Sequence, residues 1–186
     1  MRFIFLFFAQ IVVLFSNAQQ NNIINWSQSY RLTYEDFQAT VPGNANKAIQ
    51  GTTDASIELN FEQVGDVVNV SLVSYFKRHD SWIRTEAKNE YTLKHEQGHF
   101  DISEIFARKM RKALQKKKLD RRNGASQIKK IFNKLLKKYL ETQKEYDNAT
   151  GHSIKVKDQE KWIQKISDEL KELEAYKETT LVMRFK

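Results

Sequence analysis

One change of hydrophobic period divides this chain. Ile57-Glu58-Leu59-Asn60-Phe61-Glu62 alternates apolar with polar residues, and Val68, Val70, Leu72 and Phe76 keep that alternation after Val64-Gly65-Asp66. A repeat of two turns every second side chain to one face, so both runs read as half-buried strands joined by a hairpin turn. From about Glu86 the repeat becomes 3.6. A first helix is expected from there to roughly Lys117, with Leu93, Ile102, Phe106 and Met110 on its apolar side. Asn123-Gly124 breaks the pattern. A second helix carries Ile128, Ile131, Phe132, Leu135, Leu136, Tyr139 and Leu140 on one face and should stop near Asn148 to Gly151. A third places Trp162, Ile166, Leu170 and Leu173 on one stripe, with Ile163 beside it. A further strand is expected near Tyr30 to Tyr34 and a closing strand over Thr179 to Phe185, with a short turn at Asp36-Phe37. Strands first and helices afterwards, with no repeat or linker, argue for one α+β domain: a small antiparallel sheet followed by three main helices.

The first eighteen residues read as an export signal. Met1-Arg2 is a short basic start, Phe3 to Phe15 is apolar except for Gln10, and Ser16-Asn17-Ala18 offers small residues for cleavage. The apolar run is too short to span a ~30 Å hydrocarbon layer as a helix. Residues 19–186 are then the mature domain, expected to be periplasmic or secreted, with no transmembrane segment after signal removal. No cysteine is present, so the core and any bound metal must provide all the stabilisation. The net charge of +8 is unevenly spread: between Arg108 and Leu140, fourteen Lys and Arg residues face Asp120 alone. Lysine is a good helix former at exposed positions, so this run reads first as a solvated helical face. It also suits contact with an anionic envelope surface. Nucleic acid is not an expected partner, because no aromatic residues are interleaved with the basic ones as stacking platforms.

Residues 93 to 104, LKHEQGHFDISE, carry the chemistry. On a helix His99 lies about 40° round from His95 and one turn along, so both imidazoles can reach one metal ion ~2.0–2.1 Å away. Glu96, about 100° from His95, sits beside such a metal as a general base for water. Ile102, Phe106 and Met110 share the histidine face, so the histidines look into the protein, where buried imidazoles need partners. Gly98 weakens the helix by ~1 kcal/mol relative to Ala, which something passing close to that face would explain. A catalytic zinc takes three protein ligands and keeps one position open. Asp101 and Glu104 point about 140° and 160° away from the histidines on a continuous helix, so the third ligand must come from elsewhere. Its sequence context favours His152, just past the second helix, with His79, Glu145 and Asp147 as alternatives. Tyr146, which continues the buried stripe seven residues after Tyr139, is a candidate oxyanion donor or else a core tyrosine.

Ser81-Trp82, the string HEQGHFDI (His95 to Ile102), and Tyr146-Asp147-x-x-Thr150-x-His152 with Trp162 together resemble an uncharacterised bacterial family of predicted secreted zinc-dependent proteases, domain of unknown function 922. The resemblance implies His95, His99 and His152 as ligands, Glu96 as base, and a supporting part for Asp101. It also implies a minimal zincin-like metallopeptidase acting on peptide or protein substrates with Zn2+. In such an enzyme the strand over Val68 to Phe76 is expected to line the cleft and hold an extended substrate by strand addition. The other expectation is a metal-stabilised envelope binding or scaffold module without turnover, its basic helices touching anionic polymers or lipids.

Overall fold

The alternating runs form the expected hairpin. The computed structural model describes residues 22–185, so the export signal expected at residues 1–18 lies outside the described residues. Strands β3 (Ala55–Val64) and β4 (Val67–Lys77) pair antiparallel from Ala55↔Phe76 to Val64↔Val67, joined through Gly65-Asp66. On β4 every second residue from Val68 to Phe76 is buried, Ser74 included. The other edge of β4 is filled from both ends of the chain, by β1 (Ile23–Asn25) and β6 (Thr180–Arg184), again antiparallel. The Leu72 N–H to Thr179 C=O and Trp26 N–H to Ser74 C=O bonds, each 2.9 Å, close the ladder between them. Two short strands, β2 (Gly51–Thr52) and β5 (Trp82–Ile83), pair separately. The architecture is the α+β arrangement expected, with the closing strand in place.

No strand forms at Tyr30 to Tyr34. The backbone N–H groups of Leu32 and Thr33 donate to Gln97 Oε1 and Asp36 Oδ2, each at 2.8 Å, and the Tyr30 hydroxyl also donates to Asp36. Side chains therefore take the polar groups that a strand would give to a ladder, and residues 34–36 close as a 3-10 turn.

Helix α1 (Glu90–Gln115) starts later than the pattern suggested, because Asn89 caps it by accepting the Thr92 N–H at 3.0 Å. It lies between the sheet and the other two helices, α2 (Gly124–Thr150) and α3 (Val156–Glu172). Ile102, Ile105, Phe106, Met110 and Leu114 share one core with Val68, Val70 and Leu72 of the sheet and with Ile128, Tyr139, Tyr146 and Ile166 of the helix pair. A helix buried on several sides must pair its charges. Glu104 accepts from Arg108 Nε and Arg111 Nη2, both at 2.9 Å, while Arg111 and Arg108 also donate to the carbonyls of Tyr176 and Leu170. Part of the basic run thus lies inside the fold. Lys116 to Lys118, Lys129, Lys130, Lys134, Lys137 and Lys138 are exposed. Among the described residues no helix is long and apolar enough to cross a membrane.

Candidate metal centre

His95, His99 and Glu96 are all buried; the two histidines lie on the α1 surface that meets α2, and Glu96 turns toward the Gly51–Thr53 segment. The two imidazole Nε2 atoms lie 3.1 Å apart. Asp147 of α2 brings its Oδ1 to 3.1 Å from His95 Nε2 and 3.0 Å from His99 Nε2. His95, His99 and Asp147 are the group of donors able to hold a metal ion among the described residues. Four-coordinate binding with bonds of ~2.05 Å sets ligand atoms about 3.3 Å apart, so the three donors need to spread by only a few tenths of an ångström to accept an ion.

Outer partners fix the ring tautomers. Gln143 Nε2 donates to the His99 carbonyl at 3.0 Å, which turns its Oε1 toward His99 Nδ1 at 2.6 Å. Nδ1 therefore carries the proton and Nε2 is the ligating atom. The Thr150 hydroxyl donates to the Tyr146 carbonyl at 2.7 Å and faces His95 Nδ1 at 3.4 Å, giving His95 the same orientation. Gln143, Asp147 and Thr150 follow one another at helical spacings of four and three, with Tyr146 three residues after Gln143 and four before Thr150, so one side of α2 supplies the whole set. That periodicity was available in the sequence for Gln143 and Thr150, but polar residues on a core stripe carried no separate signal.

Charge follows the geometry. Burial lowers the pKa of His95 to about 4 against the pull of Asp147. For His99, burial also works downward, but the Asp147 hydrogen bond and the Glu96 charge outweigh it and leave its pKa raised. Burial opposes ionisation of Asp147, yet hydrogen bonds from His95 and His99 hold its carboxyl well below the usual range. Glu96 lies on the side of the cluster facing the strand region, where its Oε2 accepts the Thr53 hydroxyl at 2.7 Å. Burial raises its pKa to about 7, against the His99 charge and the Thr53 bond. A Cβ on Gly51 would sit 2.6 Å from Glu96 Oε1, so a side chain there would take the space of the carboxylate.

The remaining candidates fall in distinct places. His152 stands just beyond the α2 C-terminus at φ 53, followed by Ser153 at φ 74, and its N–H caps the Asp147 carbonyl at 3.1 Å. Its Nδ1 lies 3.2 Å from the same Asp147 oxygen, so it joins the cluster through Asp147. His79 and Glu145 are exposed and lie outside the cluster. Tyr146 is fully buried, stacks on His95 at 4.6 Å between ring centres, and gives its hydroxyl to the His95 carbonyl at 3.2 Å. Its hydroxyl is thus bonded to backbone rather than turned to an open site. Tyr146 is also what passes Gly98: a Cβ there would meet its Oη at 2.4 Å. Asp101 accepts from Trp26 Nε1 at 2.8 Å and Gln97 Nε2 at 2.9 Å, which fastens the N-terminal segment to α1. It makes no contact with the histidines among these bonds.

His99, Asp147 and His152 open onto a cleft of about 510 Å³ between the Gly51–Ile57 segment and α2. The family model described as a bacterial protein of unknown function (DUF922) matches residues 27–153. The chain belongs to that family. The matched span runs from the N-terminal segment through His152 and holds every residue of the cluster, while α3 and β6 lie beyond it. No curated protein and no solved structure matches the chain.

Gly98→Ala tests how the site is seated. Alanine adds ~1 kcal/mol of helix propensity, but overpacking against Tyr146 costs ~1–3 kcal/mol. Urea unfolding and a metal titration should therefore show lower stability and weaker binding together. A Gly98→Ala protein as stable and as tight as wild type would contradict the role given to this contact.

Proposed function

We propose that this family member is an exported zinc-dependent metallopeptidase of zincin-like organisation. The observation that carries the reading is the convergence of two imidazole Nε2 atoms and one carboxylate oxygen, with His99 and Asp147 on the wall of an open cleft and the buried Glu96 next in the chain to His95. Two nitrogens and one oxygen are a donor set suited to zinc. Purely structural zinc sites are closed by four protein ligands, so three donors at an open cleft favour turnover over the scaffold reading. We assign the third ligand to Asp147 rather than to His152. A zinc ion so held supplies Lewis-acid polarisation of a carbonyl and a lowered pKa for water.

The chain's own groups do the rest. Thr53 holds Glu96 Oε2 in place, and the Glu96 carboxylate takes a proton from the attacking water and passes it to the leaving amine nitrogen. Gln143 and Thr150 keep both imidazoles turned so that Nε2 faces the cluster. His152 lines the cleft with Nδ1 toward Asp147, and in its protonated form its Nε2–H can donate to the carbonyl oxygen under attack. That role replaces the one expected of Tyr146, which acts as a positioning residue behind His95. Strand β4, expected to line the cleft, is bonded on both edges and has nothing to offer a substrate. The edge strand β3 takes its place: the Ala55 carbonyl faces outward to accept the Tyr139 hydroxyl at 2.6 Å, so Ile57, two residues on, also presents its backbone outward. An extended peptide can add to that edge.

Glu96→Gln should lose peptide hydrolysis by at least ~10²-fold while binding zinc as wild type does, read by cleavage of a broad peptide library and by metal analysis. Persistent activity in that variant would contradict the assignment of the base. Asp147→Ala and His152→Ala separate the ligand from its neighbour. The first should abolish stable zinc binding; the second should weaken it by only ~10–100-fold and slow kcat by about 10²-fold. The reverse ranking of affinities would make His152 the ligand.

A further inference from the structure

The side chains lining the cleft carry an unusual selection of charge. The chain has 31 Lys and Arg residues, yet none lines this cleft; its titratable groups include Asp54, Asp80, Asp147, His99 and His152. Asp147 is committed to the imidazoles. Asp54 pairs with Lys77 at 3.4 Å, a partly exposed contact. Asp80 is exposed on the 3-10 turn Arg78–Asp80, and its carboxylate has no hydrogen-bond or ion-pair partner among the described residues. Its neighbour Arg78 is directed elsewhere, onto Asp36 at 3.1 Å.

The turn that presents Asp80 is firmly built. Fully buried Ser81 accepts the Asp54 N–H at 2.9 Å and donates to the Lys77 carbonyl at 2.7 Å. The Lys77 N–H in turn donates to the Asp54 carbonyl at 2.9 Å. These bonds fix residues 80 and 54 side by side on the strand wall of the cleft, next to the free β3 edge. Asp80 and Asp54, of which Asp54 alone has a lysine partner in Lys77, leave a net negative wall, while the exposed lysines of the basic run lie on α2 and in the segment before it.

We propose that the cleft selects extended peptide segments bearing a lysine or arginine side chain, with Asp80 as the specificity-determining carboxylate and Asp54 beside it. The inference rests on the peptidase reading for the identity of the ligand as a peptide. An ammonium or guanidinium group docked there forms a charge pair that an acidic or neutral side chain at the same point does not. The pair is solvent-accessible, so its effect is modest and falls with salt.

The test uses the zinc-loaded Glu96→Gln protein and three fluorescent peptides of equal length, one containing Lys and Arg, one neutral and one containing Glu. Fluorescence anisotropy should show the basic peptide binding tightest. Adding Asp80→Asn should cut that preference by ~2–5-fold, and raising salt should do the same. Circular dichroism of the double variant checks that the fold is kept, and Glu172→Gln, at an exposed position outside the cleft lining, serves as the matched charge control. Equal binding of the three peptides, absence of binding, or an undiminished basic preference in Asp80→Asn would overturn the proposal. Wild-type cleavage of an unbiased library is measured in parallel. Cleavage without basic preference sinks this inference and leaves the peptidase reading standing. Selective binding of basic peptides with no cleavage supports the cleft assignment and sinks the peptidase reading.

Discussion

The seating of Tyr146 against Gly98 is the contact on which the rest of the site depends. Without a Cβ at residue 98, the Tyr146 ring reaches the α1 backbone, stacks on His95 and meets His99 edge-on at 4.9 Å. That close approach sets how far α2 is rotated and how near it lies. Gln143, Asp147 and Thr150, on the same face of α2 as Tyr146, then arrive at the histidines together. A glycine that weakens an isolated helix is here the condition for bringing two helices close enough to gather His95, His99 and Asp147.

Burial gives the cluster its chemistry. Two imidazoles and a carboxylate withdrawn from water need partners, and each has them: Gln143 and Thr150 on the Nδ1 side, Asp147 on the Nε2 side. The two Nε2 atoms turned toward the negative charge of Asp147 mark the position where a dication would be most favoured. At the other end of α1, Glu104 serves the buried Arg108 and Arg111 in the same way, with protein groups closing the network. The two polar clusters differ in how their groups are committed. The histidine cluster borders the larger cleft, whereas Glu104 and Arg108, beside a cavity of about 320 Å³, belong to a network that is closed by the chain's own carbonyls at Leu170 and Tyr176.

Much of this was legible in the sequence, for reasons that also mark its limits. The hairpin from Ala55 to Lys77, the three helices and the β6 strand each carry their own periodicity, so local pattern sufficed. Helical angles alone placed His95 and His99 inward and turned Asp101 and Glu104 away from them. Tyr30 to Tyr34 failed as a strand because its backbone is satisfied by Gln97 and its hydroxyl by Asp36, long-range and turn contacts that propensity does not encode. The third donor was harder still. Asp147 and His152 are five residues apart, and which one meets the histidines depends on where α2 ends and how Tyr146 seats it. The strand at the cleft was misassigned for a similar reason: β4 has the stronger alternation because it is central, and a central strand has no free edge.

Crystals of the zinc-loaded protein, with data on both sides of the zinc absorption edge, test the central claim most directly. One strong anomalous peak is expected at the cleft wall, ~2.0–2.1 Å from Nε2 of His95, Nε2 of His99 and a carboxylate oxygen of Asp147. A peak at another place, or one bound by His152 with Asp147 turned away, would contradict it.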